Sequence, residues 1–388
     1  MDDIESIEKK IKDTEKEIKD TEKSLLEIEE RISEYVYYRD IPQKDIKDKR
    51  ELETRSRELR AKLIGLNKNR DRLKEGRDIP PLLPYLVNRD NQEFKLKEAL
   101  KKMFNHPYPQ PLLCIIHGDQ FQCHDTFFQS LEKVSLPKIF KGNTNITTNN
   151  NYTEFIKKYQ LKWPPINTSI EDLKNILEHN LVDTVLDNKF ASKADINEYL
   201  ASIGTVIIHT HLLTADLQEN SSIIIEKFIE FWQDWPELIP NQYLIIFLFI
   251  KYKKYKIEPN QNYFQKLQNW VFQDLFKKSS NTRNWNSSIQ KSIKDLSSSN
   301  FTKFDKIMGV VLPELQEITQ TEVESWARSK EVKNYWDEEN IQYLIDIIED
   351  MFEKWKKQQA SDTMPMSKLA INLTDILMGK ITIKEDTA

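Results

Sequence analysis

PLLCIIHGDQFQCHDTFFQSL, residues 111–131, opens with an apolar run from Leu112 to His117 closed by Gly118. Phe127, Phe128 and Leu131 then recur at helical spacing. Strand, glycine, loop and helix is the layout of a phosphate-binding loop. Its pattern, G-x-x-x-x-G-K-[ST], sets backbone N–H groups and a lysine around phosphate. Counted from Gly118, Cys123 stands for the second glycine, His124 for the lysine and Asp125 for the hydroxyl residue. The frame is kept and its chemistry is not. No Gly-Lys-Ser or Gly-Lys-Thr occurs elsewhere in the chain.

The rest of the composition points the same way. A chain of 388 residues has room for two or three domains, at least one with a sizeable core. A net charge of −5 gives no overall bias toward nucleic acid or membrane. Seven glycines are about a quarter of ordinary usage, which argues against any glycine-rich binding loop. Cys114 and Cys123 lie on or just after one strand, without metal-type spacing, and predict a reducing compartment. Met1 leads into charged helix with no secretory pattern. The most apolar run, residues 243–250, is far short of the ~20 residues of a membrane span. A soluble, cytoplasmic protein is expected.

Outward toward the amino terminus the chain changes character. Residues 1–78 hold 22 acidic and 21 basic side chains in a seven-residue repeat. One seam carries Ile4, Ile11, Ile18, Leu25 and Ile32; the other carries Ile7, Thr14, Thr21, Ile28 and Tyr35. These heptads predict a coiled coil. Ile41-Pro42 interrupts it. A second run follows, with Leu52, Leu59, Leu66 and Leu73 on one seam and Lys49, Ser56, Leu63 and Arg70 on the poorer one. Residues 1–40 have 14 acidic and 8 basic side chains, residues 41–78 have 8 and 13. Complementary charge and a short break predict an antiparallel hairpin, with self-association or a partner helix along its narrow seam.

Residues 79–313 read as an α/β domain. Near-continuous apolar runs at 112–117, 205–212, 243–251 and 307–312 predict strands covered on both faces. Helical patterns at 93–104, 170–186, 193–203, 223–235 and 263–277 lie before and between them, which predicts a mostly parallel sheet. Residues 141–151 read as a loop and Ser297–Asn300 as a turn. In such sheets a ligand sits at the carboxyl ends of the strands, and a second strand ends in the acid that holds magnesium. Here that strand is TVIIHTHL, residues 205–212, and His209 and His211 stand where the acid is expected. Residues 314–388 read as a helical subdomain and tail, with a capping box at Thr321–Glu324 and helices from Asp337 and from Met366.

The segment from Leu86 to Leu100, with Asn88-Arg89 and Gln92, resembles the "GR-x-x-E" lead-in of STAND-type NTPases, with Asn88 in place of the glycine. Residues 80–378 are closer still to the inactive STAND domains (iSTAND) of bacterial, especially cyanobacterial, conflict systems. The similar pieces are Tyr85-Leu-Val-Asn-Arg-Asp90, residues 205–213, Phe231-Trp-x-x-Trp-Pro236 with residues 244–252, Val310–Leu315, Val323–Ala327 and Met364–Ala370. The resemblance implies a P-loop-like α/β domain without nucleotide hydrolysis, used in signalling or in recruiting a protein partner. The degenerate nucleotide-site positions are then Arg89, Gly118, Cys123, His124, Asp125, His209 and His211. No cofactor is expected.

The competing reading is a divergent NTPase or a metal-dependent hydrolase built on His117, His124, His209 and His211, with Asp119 and Asp125 nearby. Nucleotide binding without turnover is a weaker form of it. Phe228, Phe231, Trp232 and Trp235 at helical spacing read as core, not as a base-stacking platform. The basic end of residues 243–256 reads as a strand running into solvent, so neither nucleic acid nor membrane is expected as a partner.

Overall fold

The computed structural model describes residues 4–33, 35, 41–75, 80–141, 156–165, 168–186, 191–216, 221–253, 273–299, 301–336 and 338–378. Along the chain, α1 (Ile4–Ser33) and α2 (Gln43–Glu75) precede α3 (Asp90–Phe104), β1 (Leu112–Asp119), α4 (His124–Ser130), α5 (Leu136–Lys141) and β2 (Ile156–Gln160). Next come α6 (Leu173–Val185), α7 (Lys193–Ile203), β3 (Thr205–Leu213), α8 (Ser221–Gln233), β4 (Tyr243–Tyr252), α9 (Gln273–Ser299) and β5 (Met308–Val311). The last elements are β6 (Ile318–Thr319), α10 (Gln320–Ala327), α11 (Lys330–Lys333), α12 (Glu338–Gln359), β7 (Thr363–Met364) and α13 (Met366–Leu377). Contacts divide the chain into two compact units, Arg89–Gln316 and the pair of segments Met1–Asn88 and Glu317–Ala388. The three segments read from the sequence are thus grouped differently, with the amino-terminal helices and the carboxy-terminal helices in one unit.

Arg89–Gln316 is built on an all-parallel five-stranded sheet in the order β2-β3-β4-β1-β5. Residues of β1, β3 and β4 alternate between two apolar layers. On one face Cys114, Ile116, Ile207, Phe247 and Phe249 pack under Phe127, Phe128, Leu131 and Phe140. On the other, Leu113, Ile115, Ile208, Ile246 and Leu248 pack against Phe228, Trp232 and Ile289. Phe231 and Trp235 are buried in that same layer, as expected of core aromatics. The alternation carries on to the strand ends. It puts His209, His211 and Lys251 on the α4 face, and His117 with Tyr252 on the opposite one.

Several elements differ from the sequence reading. β2 is a fifth strand with Lys157 and Lys158 exposed and only Tyr159 buried, so it carries no apolar run. α9 continues through Ser297 to Ser299, where a turn was expected; Ser298 and Ser299 donate their hydroxyls to Asp295 O and Leu296 O. Of the expected helix at 263–277, the part before Gln273 lies outside the described residues, as does the loop from residue 142 onward. α3 begins at Asp90, three residues before the helical pattern at 93–104.

In the other unit, α1 and α2 pair in opposite directions: Arg31 meets Asp45, Glu29 meets Lys49 and Glu22 meets Arg60. Ile7, Ile11, Ile18, Ile28, Leu59 and Leu66 are buried, and Leu25, Ile32, Leu52 and Leu63 are half-buried. The side chains of Ile4 and Leu73 lie outside the described residues. Thr14 and Thr21 are buried too, each hydroxyl donating to its own helix at Lys10 O and Glu17 O. Lys354 of α12 reaches Glu58 of α2, and Trp326 of α10 donates to Leu83 O. The capping box of α10 is Thr319 with Glu322, two residues before the expected pair. No helix among the described residues is long and apolar enough to cross a membrane.

Candidate functional site: a rebuilt phosphate loop

The site lies at the carboxyl ends of β1, β3 and β4, where the twisted parallel sheet opens. Gly118, next to last in β1, comes into close approach to Leu315: a Cβ there would stand 2.6 Å from Leu315 O and 2.8 Å from Leu315 Cβ. The loop then turns through Cys123, whose φ of 53° and ψ of 48° are left-handed. α4 follows, lying over Phe247 and Phe249. The backbone of a phosphate loop is therefore present in outline.

Its side chains do something else. His124, at the lysine position, is 1% exposed, and neither ring nitrogen has a hydrogen-bond partner among the described residues. Burial, aided by the charges of Lys251 and Arg89, pushes its pKa down to about 3. A neutral imidazole offers a phosphate no charge in place of an ammonium. Asp125, at the hydroxyl position, accepts from Lys251 Nζ at 2.8 Å and lies 3.4 Å from His211 Nε2. Burial alone would raise its pKa, but the Lys251 hydrogen bond and the surrounding positive charge hold it below the usual carboxylate range. Burial raises the Cys123 thiol, so it is not poised as a nucleophile.

On β3, burial lowers His209 and His211 to about 4. His209 lies against Phe128 and His211 stacks on Phe249. The histidine cluster of the hydrolase reading is divided by the sheet. His124, His209 and His211 share the α4 face, whereas His117 points to the other face and meets Tyr252 Oη through Nδ1 at 2.9 Å. Asp119 accepts from the Phe121 N–H and shapes the loop. Among the described residues no three His, Cys, Asp or Glu side chains come together as a metal set.

The lead-in shares the features of the loop and, from Arg89 onward, packs beside it. Asn88 takes a φ of 52°, so it adopts the left-handed conformation that a glycine there would supply. Arg89 is buried, donates to Gln122 O at 3.3 Å and lies 5.6 Å from the centroid of the Phe127 ring. Gln92 donates to Pro313 O and Glu314 O, tying α3 to the segment after β5. Lys251 is the site residue that sequence reasoning missed. Its signal was the basic end of the β4 run, which reads as a strand leaving the core. The register places it opposite Gly118 on β1, beside the loop.

A search of curated proteins returned no match. A comparison with protein-family models does return one, and its span runs from the lead-in through β4, stopping short of the 80–378 stretch read as similar. Residues 84–251 match the family described as inactive STAND, so that span is similar to a STAND-like module.

Proposed function

We propose that this chain is a non-catalytic regulatory or signalling protein of a bacterial conflict system, whose inactive STAND domain binds or recruits a protein partner while the amino-terminal helices assemble it. The observation that carries the reading is the Asp125 carboxylate lying against Lys251 and His211, where a nucleotide-hydrolysing loop needs open cationic and metal-binding groups. The family match over residues 84–251 supports the same direction. Turnover of ATP and GTP by the purified full chain tests it, with His124→Ala as control. No phosphate release above background from either protein is expected. Release that disappears in the variant would revive the enzymatic reading.

The assembly half of the proposal has a constraint. At the described positions the apolar seam of α1 and α2 is buried or half-buried within its own unit, so a second chain or partner would meet mainly the charged outer faces. Leu26, 60% exposed on α1, is a large apolar side chain available there. Leu26→Glu is expected to weaken self-association in sedimentation velocity while leaving helix content unchanged. A wild-type chain that stays monomeric at every concentration would remove self-association and leave a heterologous partner.

A further inference from the structure

The fold returns a lysine to the phosphate loop from a different place in the chain. Lys251, next to last in β4, lies opposite Gly118 in the register of β1 with β4 and opposite Leu213 in the register of β3 with β4. It therefore stands centrally among three strand ends, on the face that α4 covers. His211 comes in from β3 on the same face. Two nitrogen-bearing side chains from two strands thus aim at one point, and that point is filled by a carboxylate from α4.

We infer that Asp125 is a built-in anionic ligand, which occupies an oxyanion site formed by Lys251 and His211 and so keeps the domain in a filled form without an external phosphate. Three features support this. Asp125 stands in chain position where a working loop has its hydroxyl, so its side chain issues from the rim of the phosphate site. Its two oxygens are divided between the two groups, Oδ2 accepting from Lys251 Nζ and Oδ1 lying 3.4 Å from His211 Nε2, as two oxygens of one phosphate would be. The Lys251 and His211 side chains are only 22% and 20% exposed, while that of Asp125 is 64% exposed. The carboxylate thus approaches from the solvent side and covers the Lys251 and His211 groups, which is the placement of a ligand. The idea rests on the non-catalytic reading only in sharing its site; an internal ligand could equally block a loop that still hydrolysed nucleotide when opened.

The site accepts an oxyanion of phosphate type, and the free-phosphate and nucleotide sources of that chemistry are separable. Full-length wild type, Asp125→Asn and Asp125→Asn/Lys251→Met are titrated with tripolyphosphate and with magnesium-free ATP, reading melting temperature and calorimetric heat. Asp125→Asn is expected to bind tripolyphosphate about tenfold or more tightly than wild type, the scale of one recovered charge-assisted hydrogen bond. The double variant is expected to lose that gain. Equal binding by wild type and Asp125→Asn would overturn the inference, because the carboxylate would then block nothing. So would a gain that survives Lys251→Met, or a gain seen with ATP and not with tripolyphosphate, which would place the recognition in the nucleoside. Circular dichroism of each variant confirms folding; should Asp125→Asn fail to fold, Asp125→Ser takes its place with the same expected outcomes. These results do not depend on turnover, so the inference and the non-catalytic reading fail separately.

Discussion

Cys123 sits at φ 53° and ψ 48°, in the region that a side chain enters at a cost of about 1–2 kcal/mol. The backbone path of the loop demands this conformation whatever residue is present, since β1 must turn back over its own end to start α4. Asn88 meets the same demand in the lead-in at φ 52°, but asparagine enters this region readily and cysteine does not. The two sites therefore differ in strain, although each stands where a nucleotide-binding relative would have glycine. Replacing Cys123 by glycine removes the strain and adds unfolded-state entropy of about 0.5–1 kcal/mol. Cys123→Gly is expected to stabilise the chain by roughly 0.5–1 kcal/mol net, whereas Asn88→Gly is expected to be destabilising or neutral. Urea denaturation of the two variants checks the contrast. A Cys123→Gly chain less stable than wild type would mean that the thiol's packing outweighs its backbone cost.

Elements were legible where burial writes a pattern on the residues. β1, β3 and β4 are covered on both faces, and their unbroken apolar runs say so. β2 is an edge strand whose Lys158 pairs with Glu132 and whose Lys157 meets the Tyr199 hydroxyl, so its sequence reads as loop. The site was legible in its backbone frame and in Asp125 and His211, which follow from counting along the chain, while Arg89 was reached only through the resemblance of the lead-in. Lys251 was not, because its role comes from strand order: β4 lies beside β1 only after the sheet has crossed over. The helix pair α1–α2 shows a further limit. Thr14 and Thr21 look like weak points of the seam, yet each is buried with its hydroxyl satisfied inside its own helix. Exchanging that hydroxyl for a methyl leaves no new polar group unpaired and increases buried apolar surface by about one methyl group. Thr21→Val is therefore expected to stabilise the helix pair by about 0.5–1 kcal/mol, read as a higher melting temperature by circular dichroism at 222 nm. A lower melting temperature would show that the hydroxyl has a packing role that the helix-internal bond does not reveal.

At the scale of the whole molecule, titration separates the two units. His117, His209 and His211 are held at about 4 and His124 at about 3, in each case chiefly by burial, against an ordinary value of 6.5. All six histidines of the chain lie within Arg89–Gln316. Because the folded values are depressed, the unfolded chain binds more protons throughout the window between the two. The stability at stake is fully present above pH 6.5 and is lost as pH falls toward 4. Each fully titrating histidine contributes a slope of about 1.4 kcal/mol per pH unit, and four act together. Asp125, depressed below its ordinary 3.8, pulls in the same direction at still lower pH. The unit formed by Met1–Asn88 and Glu317–Ala388 has no histidine to add to this effect. Calorimetry at pH 7.5 and pH 5 is therefore expected to show the Arg89–Gln316 transition falling by roughly 15–30 °C, while the other unit's transition moves far less. His124→Gln, which removes the most depressed group, is expected to flatten the profile. A transition for Arg89–Gln316 that stays in place between these pH values would mean that the strand-end histidines are hydrated enough to titrate near their ordinary value. The recessed, carboxylate-capped site inferred from Lys251 and His211 would then be more open to solvent than its packing against Phe128 and Phe249 indicates.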